Sequence, residues 1–140
     1  MKTIYSTNVR AIGGRNGHVK SKNGVLDIQV RFPKAFGGIN DDFINPEMLF
    51  AAGYSACFDG ALNLVIQNSK ITTGTTSVDA KVCIGQIENG GYQLAVELHI
   101  NIPNVSVEKA KSLAEEAHQI CPYSNATRGN IEVVLKTTNR

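Results

Sequence analysis

The sequence predicts an α+β protein in which antiparallel sheets pack around one long buried central helix, in the order β-β-β-α-β-β-α-β. Three observations carry that prediction. Residues 45–68, NPEMLFAAGYSACFDGALNLVIQN, form one apolar stretch of helical length, opened by a strong start signal. Segments that alternate polar and apolar residues lie on both sides of it, separated by glycine-containing turns. A second helical segment, VEKAKSLAEEAHQI, precedes the last alternating run. Residues 1–140 are expected to form a single domain, since no repeat, low-complexity tract or Pro/Gly-rich linker marks a boundary.

Taken in order, residues 2–10 alternate as a first strand. Gly13, Gly14 and Gly17 mark a tight turn, and residues 18–22 are its returning partner. Asn23-Gly24 is a hairpin signal. It leads into VLDIQVRF, where Leu26, Ile28, Val30 and Phe32 share one face. Residues 33–44 read as a loop. Asn45 then serves as N-cap, Pro46 as the first helical residue and Glu47 as first-turn acid. The helix is apolar nearly all round, which predicts the middle of a core. Its small residues, among them Ala52, Gly53, Ala56 and Gly60, admit other backbones closely.

Beyond it, residues 75–87 place Val78, Ala80, Val82 and Ile84 on one face of a strand. Asn89-Gly90-Gly91 turns the chain, and YQLAVELHINI returns antiparallel until Pro103 stops it. Ser106 caps the second helix, whose Val107, Ala110, Leu113, Ala114 and Ala117 form a modest apolar stripe. CPYSNATRG reads as a loop, with Pro122 ending the helix before it, and IEVVLKT closes the chain as a strand.

Composition narrows the function classes. Hydrophobic residues make up 42%, charged residues 19%, and the formal net charge is +2, which is ordinary for a soluble globular protein. Lys20, Lys22, Arg31 and Lys34 form only a loose basic zone without interleaved aromatics, so a nucleic-acid partner is not expected. Gly53, Ser55, Asp59, Gly60 and Asn63 interrupt the longest apolar stretch, which argues for a core helix and against a membrane partner. The N-terminus has no apolar segment of the export type, so the cytoplasm is the expected compartment, where a stable structural disulfide is disfavoured. Three cysteines there read as catalytic, metal-binding or buried. No CxxC pair and no Cys/His cluster has metal-ligand spacing, so no metal is expected.

Two of the cysteines invite chemistry. A free Cys57 inside an apolar helix is by composition more often an ordinary core residue, and becomes a sheltered nucleophile if something makes its thiolate. Burial disfavours that thiolate, and a mid-helix position is remote from the positive end of the helix dipole. A cation must come from elsewhere. Arg15, on its glycine-flanked turn, is either a solvated turn residue or that cation. Glu47 either compensates the helix dipole or holds the guanidinium bidentately. Ten helical residues, a rise of about 15 Å, separate Glu47 from Cys57. Either the helix breaks near Gly53, or Glu47 serves a site on a second subunit; the second option is favoured, since so apolar a helix needs more cover than a chain this small supplies. Cys121, after a helix C-terminus, suits a resolving thiol. Cys83 faces away from Val82 and Ile84 and reads as a bystander. His18, His99 and His118 are scattered; His118 lies one turn before Cys121 as a possible base, although a surface position is the plainer reading.

At this point the residues match a family. NPEMLFAAGYSACF and CPYSNATRGN closely resemble the two signature segments of the organic hydroperoxide resistance (Ohr) proteins, a branch of the Ohr/OsmC superfamily. GGRNGHVKS, followed by VLDIQVRFPKAFGG, is similar to that family's N-terminal hairpin. The resemblance covers essentially the whole chain. It implies an OsmC-like fold, an intertwined homodimer with two interfacial sites, and a Cys-based peroxidase for organic hydroperoxides. It makes Cys57 the peroxidatic thiol, Cys121 the resolving thiol, Arg15 the activating arginine and Glu47 the carboxylate that holds it. It implies no bound cofactor, and recycling by an external dithiol such as a dihydrolipoyl group on a lipoylated protein. Phe36, Phe43, Met48 and Phe50 are candidates for an apolar substrate pocket, or ordinary core. Three other readings stand beside this one: an OsmC-type peroxidase of broader range, a hot-dog-fold thioesterase independent of both thiols, and a thiol redox sensor that oxidises once per site.

Overall fold

In the computed structural model, which describes Met1–Arg140, the chain divides into two units, Met1–Leu49 and Phe50–Arg140. The first is built on a three-stranded antiparallel sheet of β1 (Val9–Ile12), β2 (His18–Ser21) and β3 (Asp27–Gln29). Gly13 and Gly14 take φ of 79° and 58°, which lets the chain reverse through a single 3₁₀ turn, Gly14–Asn16. Gly17 closes the turn so tightly that a Cβ there would lie 1.8 Å from the Ile12 carbonyl oxygen.

Two strands are shorter than the alternation predicts. Val9 pairs with Ser21, the last residue of β2; the Lys22 amide still donates to the Asn8 carbonyl at 3.0 Å, and the chain then turns away, leaving no partner strand for residues 1–7. β3 stops at Gln29 because β2 offers it only three partners. Val30 instead bridges in parallel to Ile44, and the Arg31 amide donates to the Ile44 carbonyl at 3.0 Å. Of the face expected in this run Val30 is buried, whereas Phe32 is exposed.

The long helix α1 (Pro46–Asn68) starts and ends where the sequence places it. The Asn45 Oδ1 accepts from the Met48 amide at 2.8 Å, the N-cap bond. By length and composition alone α1 could cross a bilayer, with a mean hydropathy of 1.4 over its most apolar window. Its fully enclosed Tyr54, Phe58 and Leu62 instead belong to a protein core. Within a single chain α1 is buried on one face. Tyr54, Phe58, Leu62, Val65 and Ile66 form one buried face, while Ala52, Ala56, Gly60 and Leu64 are exposed. A single chain covers one side of this helix only.

The second unit pairs β4 (Ser77–Gln86) antiparallel with β5 (Tyr92–Asn101), as expected, with Val78, Ala80, Val82 and Ile84 turned inward. β6 (Val133–Thr138) joins β5 in parallel, a departure from all-antiparallel pairing. A parallel neighbour requires a crossover, and the helices between β5 and β6 provide it. The first is α2 (Val107–Ile120), capped by Ser106 Oγ, which accepts from the Lys109 amide at 3.1 Å. Its Ala110, Leu113, Ala114 and Ala117 are buried; Val107, in the first turn, is not.

CPYSNATRG is not a loop. Residues Pro122–Thr127 form a short helix, α3. Cys121 is extended (φ −63°, ψ 124°) and separates the two helices, its carbonyl accepting from the Asn125 amide at 2.9 Å. Pro122, expected only to terminate α2, also occupies the first position of α3, where its fixed φ and missing N–H favour a helix start.

Candidate active site

The helix α1 carries Cys57 one turn beyond Tyr54, and the break between α2 and α3 carries Cys121. Their sulfur atoms lie 3.7 Å apart and both are free thiols. A disulfide is about 2.05 Å long, so closure needs only a small side-chain movement. Cys121 has no exposed surface, whereas Cys57 is half-buried. Anything arriving from solvent therefore meets Cys57 first.

Burial pushes the Cys57 thiol above its ordinary value, the neighbouring Cys121 thiol adds to that, and the Tyr123 main-chain N–H opposes it in part. The surroundings in this unit keep Cys57 protonated, so activation needs a positive group. The Tyr123 ring stands close over α1 because position 53 is glycine: a Cβ there would lie 2.8 Å from the Tyr123 hydroxyl.

In the first unit, Arg15 and Glu47 form the bidentate pair read from the sequence. Nη1 donates to Oε2 at 2.8 Å and Nη2 to Oε1 at 2.5 Å. The turn at Gly13–Gly14 aims the arginine, and the first turn of α1 aims the carboxylate. Hydrogen bonding to Glu47 raises the Arg15 pKa, and hydrogen bonding to Arg15 lowers that of Glu47. Arg15 is thus a fixed cation at any physiological pH. α1 runs unbroken through Gly53, which removes the alternative of a helix break there.

The depressed Glu47 pKa has a consequence for stability. Its contribution is complete above the unfolded carboxyl value, about 4.3, and is lost as pH falls through the lower folded value. In urea unfolding, Glu47→Gln should be less stable than wild type at pH 7 by about 1 kcal/mol, a figure discounted for partial exposure. The two proteins should converge below pH 4. A constant difference across that range would contradict this role.

The four apolar pocket candidates have separate surroundings. The Phe36 ring lies 5.9 Å from the Arg15 guanidinium carbon, and the Phe43 ring 5.4 Å from that of Arg31. Phe43 also lines a cavity of about 450 Å³ with Asn16, Phe32 and Ile39. Met48 is largely exposed. Phe50 packs against Tyr54 and Tyr123, at ring-centroid distances of 6.0 and 6.2 Å, as a member of an aromatic cluster. Cys83 is exposed on the outer face of β4, opposite Val82 and Ile84 as read.

Of the histidines, His18 meets Asp27 at 2.6 Å and His99 meets Glu97 at 3.2 Å, both on exposed surface. His118 differs from the surface residue expected. It is half-buried, and its Nδ1 lies 2.8 Å from Ser124 Oγ, a hydroxyl with no exposed surface. Tyr54, Tyr123, Ser124 and Thr127, on the two helical segments that carry the thiols, do not stand out in the sequence. One signal was present: Tyr54 precedes Cys57 by three residues, neighbours on a helix face. No group of three His, Cys, Asp or Glu side chains is placed to hold a metal ion.

Comparison with known proteins identifies the family. Residues 39–136 match the family described as OsmC-like protein. An organic hydroperoxide resistance protein of Xanthomonas axonopodis pv. citri (strain 306) is 46% identical over 135 residues, 96% of this chain and 94% of the relative. Among crystal structures, an organic hydroperoxide resistance protein from Elizabethkingia anophelis is 68% identical, with a TM-score of 0.97 over 100% of both chains. The organic hydroperoxide resistance protein OhrB of Bacillus subtilis is 40% identical, with a TM-score of 0.88 over 97% of this chain and 100% of its own. With the OsmC-like fold and both signature segments in place, this chain belongs to the organic hydroperoxide resistance proteins of the OsmC-like family.

Proposed function

We propose that this protein confers resistance to organic hydroperoxides by reducing them to alcohols with its own thiols. The observation that carries the reading is the pair of free thiols 3.7 Å apart, one enclosed and one within reach of solvent. The Cys57 thiolate attacks one oxygen of ROOH; the O–O bond breaks, RO⁻ takes a proton and leaves as alcohol, and Cys57 becomes a sulfenic acid. Cys121 attacks that sulfur, forming the disulfide and releasing water. An external dithiol of the dihydrolipoyl type, free or on a lipoylated protein, then reopens the disulfide by two exchange steps and leaves as a cyclic disulfide. Each turnover thus consumes one hydroperoxide and one dithiol. The chemistry asks for no bound cofactor.

Arg15, held in orientation by Glu47, supplies the positive charge that the buried Cys57 lacks and stabilises the departing alkoxide. We assign that role to the arginine of a partner protomer in a homodimer. The exposed face of α1, with Ala52, Ala56, Gly60 and Leu64, supports a partner, because an apolar helix of this kind needs cover on both sides. A reducing compartment such as the cytoplasm suits two thiols that must return to the reduced state.

Steady-state assays with dihydrolipoamide test the proposal. Tert-butyl and fatty-acid hydroperoxides should be reduced over many turnovers, with kcat/KM at least about tenfold above hydrogen peroxide. Comparable rates for all three would favour an OsmC-type peroxidase of broader range. Oxidation that stops after one event per site would favour a redox sensor.

A further inference from the structure

We propose that Tyr54, Ser124 and His118 are positioning residues that hold Cys121 against Cys57, setting the rate of disulfide closure without taking part in peroxide reduction. This rests on the thiol-peroxidase reading above. The observation is a buried relay of side chains. His118 Nδ1 is 2.8 Å from Ser124 Oγ, Ser124 Oγ is 3.0 Å from the Tyr54 hydroxyl, and that hydroxyl is 3.2 Å from Thr127 Oγ1. Thr127 Oγ1 lies 3.0 Å from the Tyr123 carbonyl. Tyr54 and Ser124 have no exposed surface.

Counting hydrogens fixes the direction of the relay. Each hydroxyl has one, and the Tyr123 carbonyl can only accept. All four contacts receive a hydrogen only if His118 Nδ1–H donates to Ser124, Ser124 to Tyr54, Tyr54 to Thr127, and Thr127 to the carbonyl. The opposite order leaves the last contact empty. With every contact filled, His118 is the donor that starts the relay, and the main-chain carbonyls of Tyr123 and Ser124, at 3.0 and 3.2 Å from Thr127 Oγ1, end it. Both thiol-bearing segments are involved. Tyr54 lies on α1 one turn before Cys57, and Ser124 and Thr127 lie on the helix that follows Cys121. His118, on α2, stacks near the Phe58 ring at 6.4 Å and anchors the other end. The relay thus fixes the Cys121–Tyr123 segment on α1, and misplacement of about 1 Å is enough to slow a positioned reaction substantially.

The test compares Ser124→Ala, His118→Leu and His118→Asn, the last keeping an N–H donor at the δ position. Rapid-mixing measurements follow Cys57 oxidation by tert-butyl hydroperoxide and then disulfide closure. Separately, dithiothreitol redox buffers give the Cys57–Cys121 equilibrium without any peroxide. For Ser124→Ala and His118→Leu, the first oxidation should stay within about twofold of wild type. Closure should slow at least about tenfold, and the equilibrium should shift about tenfold toward the dithiol, equivalent to about 30 mV. His118→Asn should behave as wild type. Closure and equilibrium at wild-type values in the first two variants, parallel loss of both kinetic steps, or failure of His118→Asn to rescue would each overturn the proposal. Should Ser124→Ala fail to fold, the two His118 variants decide the question. A wild-type protein inert to hydroperoxide, with the equilibrium shifts intact, would sink the peroxidase reading and leave the positioning role standing.

Discussion

Cys57→Ser should lower organic hydroperoxide turnover to the background rate of the free dithiol. The substitution is nearly isosteric, and position 57 is half-buried at the margin of the core, so the fold should survive it. What disappears is the nucleophile, because a serine hydroxyl has no accessible anion near neutral pH and the enclosed Cys121 cannot replace Cys57. Arg15→Ala should fall nearly as far for a different reason. Burial and Cys121 raise the Cys57 pKa, with only the Tyr123 amide opposing them, so loss of the guanidinium leaves little thiolate. Mixing the two inactive variants adds a test of where Arg15 acts. If each arginine serves the partner's thiol, a mixed dimer has one complete site, and a statistical mixture should recover about a quarter of wild-type activity. An arginine that served its own chain would give no recovery. Retention of the full rate by Cys57→Ser would end the assignment.

Cys121→Ser should separate oxidation from recycling. The first equivalent of hydroperoxide should still yield one alcohol per site, because the attacking sulfur is untouched. The sulfenic acid then has no thiol 3.7 Å away. Steady-state turnover with dihydrolipoamide should drop by on the order of a hundredfold, since an intramolecular step gives way to bimolecular attack. The residue should accumulate sulfinic and sulfonic acid under excess peroxide, visible by mass spectrometry as gains of two and three oxygens on the Cys57 peptide. Unchanged steady-state turnover would mean that the dithiol attacks the sulfenic acid directly and that Cys121 is a core residue.

Much of this was legible in the sequence, and the failures have physical causes. The start of α1 at Asn45-Pro46 and its end at Asn68 follow from local cap chemistry and composition, and both are observed. The β4–β5 hairpin follows from alternation and the Asn89-Gly90-Gly91 turn. Strand ends in the first unit do not follow from alternation, because β1 and β3 extend only as far as β2 gives them partners. The parallel placement of β6 is likewise a tertiary fact, invisible in IEVVLKT itself. Cys57, Cys121, Arg15 and Glu47 could be chosen by chemical type and by family resemblance, and the structure pairs the two thiols and, in the other unit, the arginine with its carboxylate. The hydroxyl relay could not be chosen that way. Tyr54, Ser124 and Thr127 are common polar residues, and only the fold shows that they meet, 70 and 73 residues apart in sequence from Tyr54. Pro122 reads as a stop signal in the sequence, whereas in the fold it both ends one helix and begins the next.

Anaerobic titration of the fully reduced protein with tert-butyl hydroperoxide, followed by peptide mapping of its disulfides, tests the central claim most directly. One equivalent per chain should remove two thiols and give a Cys57–Cys121 bridge, with Cys83 still free. Oxidation that leaves Cys57 and Cys121 reduced, or that links either of them to Cys83 instead, would contradict the account.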